Sequence, residues 1–219
     1  MVFVNRPRTP RLTRRQSRDM AENFASYFER KSFSFDWTSS NFDVWVGLLT
    51  ERRAEPLRIL EIGSWEGRSA VFFLNFLPAS KIVCIDTFSG GREHWLRKRL
   101  LAALPFIERR FDANLAEFSG RVEKRKAKSI DALGDLALDQ RRFDLVYVDG
   151  SHAAIDVYRD ALLSWAMLNP RGIMILDDYE WPEPLPERAK PRLGVDTFLA
   201  TLAGGYKELH RGYQVIIAK

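Results

Sequence analysis

Apolar residues return along this chain at two spacings. Short runs rich in Ile, Val, Leu and Tyr alternate with stretches in which they recur every three or four positions. The short runs predict strands at 57–62, KIVCID (81–86), about 121–127, FDLVYVD (143–149) and GIMILDD (172–178). One helix follows Gly67 with Val71, Phe72, Leu74 and Phe76 inward, and Pro78 ends it. A short helix starts at Ser129, and another carries Ile155, Tyr158, Leu162, Trp165 and Leu168 as a stripe facing the sheet. Asn169-Pro170-Arg171-Gly172 reads as a turn into the fifth strand, and Val195, Phe198, Leu199 and Leu202 mark the last helix. YKELHRGYQVIIAK (206–219) closes the chain as an antiparallel hairpin. Strands alternating with helices predict an α/β, Rossmann-like, doubly wound parallel sheet with an antiparallel edge.

Ahead of the sheet, Met20, Phe24, Tyr27 and Phe28 have helical spacing over 13–31, and Phe42, Trp45, Val46 and Leu49 repeat it. The expected organisation is a disordered basic tail at 1–12, a helical cap at 13–50 and the main domain at 51–219. The segment 87–118 is too long for an ordinary connection and reads as a lid or substrate loop. Residues 179–191 hold four prolines and read as a surface loop near the site.

With 219 residues, 46% hydrophobic and 29% charged, the chain has the composition of one globular domain. No apolar run approaches the ~18 residues that span a bilayer. The net charge of +5 needs dividing: residues 1–18 hold six arginines and no acid, which leaves 28 bases against 29 acids in the body. A basic arm could touch nucleic acid or anionic lipid, a solvated terminus being the plainer expectation. It is Arg-rich like a transit peptide, but Pro7 and Pro10 spoil an amphipathic helix. The near-neutral body argues against a nucleic-acid substrate, which needs a basic groove. The lone Cys84 excludes an internal disulfide and fits a cytoplasmic location. The aromatic N-terminal helices are a candidate homo-oligomer interface.

Three strands end in small and acidic residues: Glu61, Gly63 and Gly67; Asp149; Asp177 and Asp178. In a parallel sheet such ends line the ligand crevice. Glu61-x-Gly63-x-x-x-Gly67-x-Ser69 is not the dinucleotide GxGxxG, since its glycines are spaced differently. Gly63 permits a sharp turn and a ligand's approach to the backbone. A buried Glu61 needs a partner, which a cationic or amine-bearing ligand or local backbone could supply. Asp86, some 20 residues beyond the glycine turn, could accept ribose hydroxyls or cap a turn.

The set EIGSWEGRSA (61–70), CIDTFSGG (84–91), AKSID (127–131), VDGSH (148–152) and LDDY (176–179), with the terminal hairpin, resembles the class I S-adenosylmethionine-dependent methyltransferases over about residues 57–218. The resemblance implies a seven-stranded sheet in the order 3-2-1-4-5-7-6, with strand seven antiparallel. It implies a cofactor site of Glu61, Gly63, Ser64, Gly67, Ser69, Asp86, Thr87, Ser129 and Asp149. Within it Glu61 and Gly63 would lie by the methionine moiety, Asp86 on the ribose and Ser129 at adenine.

Asp149, Asp177 and Asp178 resemble the metal triad of catechol and macrolide-sugar O-methyltransferases. Three such carboxylates repel unless neutralised, and oxygen ligands favour Mg²⁺. The metal would lower the pKa of a substrate hydroxyl and align it with the sulfonium methyl. His152 is the implied base, with Asp149 the alternative. His94, Trp95, Tyr179 and Trp181 either wall the acceptor or pin the lid. The expected activity is methyl transfer to a hydroxyl of a sugar, a phenol or a glycosylated natural product. The alternatives are an N- or metal-independent methyltransferase and a non-catalytic S-adenosylmethionine-binding protein. Asp149-Gly-Ser-His stands where amino-methylating relatives carry an Asn-Pro-Pro-Tyr signature.

Overall fold

In this computed structural model, which describes residues 24–91, 95, 97–182, 186 and 189–219, seven strands form one sheet in the order β3-β2-β1-β4-β5-β7-β6. β1 (Arg58–Ile62), β2 (Lys81–Asp86), β3 (Val122–Lys126), β4 (Phe143–Val148) and β5 (Leu168–Leu176) are parallel. β7 (Val215–Ala218) runs antiparallel to β5 and to the edge strand β6 (Lys207–Arg211). The order and the antiparallel strand are those expected. Among the described residues no helix is long and apolar enough to cross a membrane.

Strand parity divides the core in two. Ile59, Cys84, Leu145, Tyr147 and Ile175 face α1 (Phe42–Leu49), α2 (Arg68–Phe76) and the aromatic N-terminal segment. Leu60, Val83, Val146 and Leu176 face the helices of the other layer. α3 (Lys98–Ala103) and α4 (Ile107–Leu115) occupy the long segment between β2 and β3. The second layer comprises α5 (Ser129–Leu138), α6 (Ala154–Met167) and α7 (Pro191–Thr201). The N-terminal segment is held by ring packing: Phe42 stacks on Phe72 at 4.1 Å and Trp45 on Phe73 at 4.7 Å. Of the first expected helix, the described part is one 3₁₀ turn, Ala25–Phe28; the tail at 1–12 and the helix start lie outside the described residues.

Two expectations are corrected. The buried residues of α6 are Ala154, Val157, Asp160, Ala161, Ser164, Trp165 and Met167, so Trp165 of the expected stripe is inside, while Ile155 is 61% exposed. Leu168, expected at the end of this stripe, opens β5 instead. The reason is close packing against α7, where a Cβ on Gly194 would meet the Ala154 carbonyl oxygen at 2.3 Å. Such a crossing admits small residues and turns the large aliphatic ones outward. Residues 169–172 do not form a separate turn either. They bulge within β5, where Phe143↔Leu168 is followed by Leu145↔Ile173. The chain end holds the bulge: Arg171 N–H donates to the Lys219 carbonyl and Lys219 N–H to that of Gly172.

β1 and β4 are neighbours, yet α2 and α6, which follow them, cover opposite faces. Their carboxyl ends therefore flank an open crevice, the place where ligands bind in such sheets. The corrected α6 face is testable by urea denaturation. Gly194→Ala should lower the unfolding free energy by roughly 1–3 kcal/mol. Ile155→Ser should change it by less than about 0.5 kcal/mol; equal losses would contradict this packing.

Candidate active site

The crevice begins where β1 turns into α2. Gly63 has φ +88°, and a Cβ there would lie 1.9 Å from the Asp149 carbonyl oxygen. The close approach that glycine permits is thus made by the end of β4, not by a ligand. Ile62 accepts the Asp149 N–H at 2.8 Å, and Gly63 donates its own N–H to Ile85 at 2.8 Å. Gly67, at φ +80°, caps α2.

Glu61 is fully buried, with its Oε1 bonded by the Ser69 hydroxyl. Its Oε2 and the neighbouring Ser64 hydroxyl are buried without a hydrogen-bond partner among the described residues. Burial, helped by the Asp86 charge, pushes the Glu61 carboxyl up. An ammonium donor reaching this oxygen would satisfy it, so the turn fits an amine-bearing ligand. Asp86 accepts the Trp65 N–H at 2.7 Å and the Phe88 N–H at 2.6 Å, capping two turns. A carboxylate offers roughly four lone-pair sites, so capping and ribose binding are compatible. Thr87 Oγ1 accepts the Ser89 hydroxyl at 2.8 Å. Ser129 is the first residue of α5.

At the ends of β4 and β5 the acids converge. The Tyr147 hydroxyl lies between Asp149, at 2.9 Å, and Asp177. Asp177 also accepts from Gln214 Nε2 and from the Asp178 N–H, each at 2.8 Å. Gln214 in turn is held by Trp45 Nε1 at 2.8 Å. Asp178 sits at φ +59°, a costly conformation for a non-glycine residue. It accepts the Tyr213 hydroxyl at 2.6 Å and His152 Nε2 at 2.8 Å. Single ligand atoms from Asp149, His152 and Asp178 lie within 4.8 Å of one another. Two of the three expected carboxylates converge with the expected base, while both Asp177 oxygens bond to neighbouring donors.

The electrostatics follow from crowding out of water. Burial raises the Asp149 carboxyl well above the usual range, and the charges of Asp177 and Asp178 add to it. Asp177 is pushed up to about 7, by burial and then by Asp178. Burial, Asp149 and Asp177 hold the Tyr147 phenol protonated and therefore a donor. A cation at Asp149 and Asp178 would relieve this stress, and the carboxylate-rich donor set suits a hard divalent ion.

Trp181 stacks on His152 with centroids 3.9 Å apart, and an open depression of about 310 Å³ beside it is lined by Tyr179, Glu180, Lys190 and Arg192. Tyr179 itself is buried, donates to Asp196 at 3.0 Å and packs against Arg192, so it pins the loop to the body. Trp95 is exposed, and His94 lies outside the described residues.

Sequence reasoning missed Glu66, Tyr147 and Gln214. Glu66 is buried and accepts from the Ser34 N–H, the Ser34 hydroxyl (2.7 Å) and Arg110 Nη1 (2.7 Å). The Asn114 side-chain amide donates to the Glu66 carbonyl at 2.9 Å and to the Ser32 carbonyl at 2.9 Å, and its Oδ1 accepts the Ser32 N–H at 2.9 Å. The N-terminal segment, the first glycine turn and α4 thus meet at one carboxylate. Strand alternation could have flagged Tyr147: it shares a face with Leu145, so its hydroxyl is buried and requires partners.

A family model described as a methyltransferase domain matches residues 60–179. Mycinamicin VI 2''-O-methyltransferase of Micromonospora griseorubida is 25% identical over 174 residues, covering 75% of this chain and 37% of its own. The chain therefore spans little more than a third of that relative's length. MycE methyltransferase from the mycinamycin biosynthetic pathway, solved with Mg, SAH and mycinamycin VI, superposes with a TM-score of 0.61 at 18% identity, covering 92% of this chain and 54% of that one. The O-methyltransferase TomG from Streptomyces achromogenes, solved with SAM, gives 0.57 at 20% identity over 92% and 87%. An O-methyltransferase from Bacillus cereus, in complex with SAH, gives 0.58 at 17% over 92% and 89%.

Asp177 binds its proton more tightly folded than unfolded. Its contribution to metal-free stability is intact below about pH 4, the unfolded value, and is lost as pH rises through about 7. Thermal unfolding in EDTA should show this fall, and Asp177→Asn, which removes the charge, should flatten it. Tyr147→Phe should cost roughly 1–3 kcal/mol by stripping two buried carboxylates of their shared donor; an unchanged midpoint in urea would remove it from this role.

Proposed function

Because the chain belongs to the class I S-adenosylmethionine-dependent methyltransferases, we propose that it moves the methyl group of that cofactor to a hydroxyl of a small sugar or phenolic acceptor, with Mg²⁺ assistance. The observation that carries this reading is the convergence of Asp149, His152 and Asp178 at the ends of two strands beside the glycine turn. It agrees with the O-methyltransferase activity for which the mycinamicin relative is named and with the Mg in the MycE structure.

The residues divide the work. Glu61 and Ser64 offer buried unpaired oxygens to the amino-acid end of the cofactor, Asp86 faces its ribose and Ser129 its base. Bound there, the cofactor supplies an electrophilic methyl, and a divalent ion supplies charge that lowers the pKa of the acceptor hydroxyl. Asp149, Asp177 and Asp178 provide the negative charge for that ion, and the oxygens of Asp149 and Asp178 are the pair that converge.

His152 receives the acceptor's proton at Nδ1, because its Nε2 donates to Asp178. Asp178, 2.8 Å from Nε2, fixes the ring and stabilises the imidazolium that forms. Trp181 covers the other face of the ring and limits its contact with water. Asp149 is the second candidate base, its carboxyl made more basic by burial and by neighbouring charge.

The test is turnover of labelled cofactor against hydroxylated sugars and phenols. EDTA should abolish it and added Mg²⁺ restore it; full turnover in EDTA would remove the metal from the mechanism. Asp178→Asn should lower turnover by more than about 100-fold, with affinity for S-adenosylhomocysteine nearly unchanged. Asp86→Ala should weaken that affinity by roughly 1–3 kcal/mol, read by calorimetry.

A further inference from the structure

Two consecutive residues of the turn between β6 and β7 grip two consecutive acids of the crevice, and the sheet register dictates which grips which. β5 and β7 pair antiparallel from Ile173↔Ala218 to Leu176↔Val215. Continued past the strand ends, that register sets Asp177 against Gln214 and Asp178 against Tyr213, as cross-strand neighbours whose side chains can meet. The bonds follow that order. Gln214 Nε2 donates to Asp177 Oδ2 at 2.8 Å, and the Tyr213 hydroxyl donates to Asp178 Oδ1 at 2.6 Å. The Tyr179 N–H, donating to the Tyr213 carbonyl at 2.9 Å, fastens the turn to the chain just beyond both acids.

An amide can meet a carboxylate with either end, and only one end attracts it. Behind Gln214, the Trp45 Nε1–H of α1 donates to Oε1 at 2.8 Å. An indole nitrogen is a donor only, so it claims the amide oxygen and leaves the amide NH₂ for Asp177. Trp45, Gln214 and Asp177 are all buried. Turned over, the Gln214 amide would set its oxygen against Asp177 Oδ2 and leave the indole N–H unmatched, a cost of about 1–3 kcal/mol for each unmet group. The polarity of a contact at the end of β5 is therefore decided by a residue of the N-terminal cap. Asp178 needs its own holder because its backbone, at φ +59°, persists only where the surroundings impose it.

We propose that the β6–β7 turn, braced by Trp45, is the positioning element of the divalent-ion centre: Tyr213 orients the Asp178 carboxylate, Gln214 orients that of Asp177, and Trp45 fixes the direction of the Gln214 amide. This rests on the reading of the acidic strand ends as that centre. The three residues act on the ion through the carboxylates they hold, by keeping the charged edges turned toward it.

Titration of the full chain with Mn²⁺, followed by electron paramagnetic resonance of the free ion, tests this without methyl transfer. Gln214→Met and Tyr213→Phe should each weaken Mn²⁺ binding by roughly tenfold or more, the usual effect of losing a group that orients a ligand. Trp45→Phe should weaken it as well, and the Trp45→Phe/Gln214→Met double variant should lose no more than Gln214→Met alone, because the two residues act as one unit. Phe73→Leu thins the same aromatic core without touching a polar atom, so it should lower the melting temperature while changing Mn²⁺ affinity by less than about twofold. Affinity for S-adenosylhomocysteine should stay at the wild-type value throughout. Should the buried variants not fold, Tyr213→Phe, at a residue 40% exposed, decides alone. Wild-type Mn²⁺ affinity in Tyr213→Phe or Gln214→Met, an equal loss in Phe73→Leu, or additive losses in the double variant overturns the proposal. A wild type that takes up no Mn²⁺ overturns instead the metal reading beneath it.

Discussion

Negative charge held out of water governs this molecule. Asp149, Asp177 and Asp178 stand at the ends of adjacent strands, where both burial and mutual repulsion oppose ionisation. The fold answers with donors drawn from every layer around them. Tyr147 comes from the central strand, Gln214 and Tyr213 from the approach to β7, and Trp45 from the N-terminal cap behind Gln214. The antiparallel β7 matters here because it delivers donors to the side of β5 that no parallel neighbour covers.

The same logic organises the other half of the crevice. Glu61 and Glu66 flank the first glycine turn from opposite sides, and both are buried. Glu66 is fully engaged by Ser34 and Arg110, whereas Glu61 keeps one oxygen without a hydrogen bond. Two acids five residues apart therefore serve different ends: one closes the architecture, and the other is left open to chemistry. Burial alone cannot tell them apart; the inventory of partners does.

The order of strands and the acidic strand ends were legible because both follow from short-range pattern: apolar runs that stop at glycine and carboxylate. What escaped was set by distance along the chain or by packing depth. Glu66 finds Ser34 and Arg110 from segments 32 and 44 residues away, and no local signal links them. Ile155 and Leu162 look like core residues by size, but the closeness of α7 at Gly194 favours alanines on that face. The bulge at Asn169–Gly172 contains the residues of a free turn, and only its pairing with Lys219 keeps it inside the sheet. Asp86 was legible as a ligand group or a cap, and its two backbone bonds display the cap.

The carboxylate of Glu66 has a consequence for how this scaffold can diversify. Arg110 and Asn114 belong to the segment expected to shape the acceptor's surroundings, yet they are also the clamps of the glycine turn. Exchanging that whole segment for a homologue's would strip a buried anion of its counter-ion and unsettle the methyl donor's cradle along with the intended change. New specificities on this frame are therefore more accessible through grafts that stop short of position 110, where the chain can vary without unfastening its own foundation.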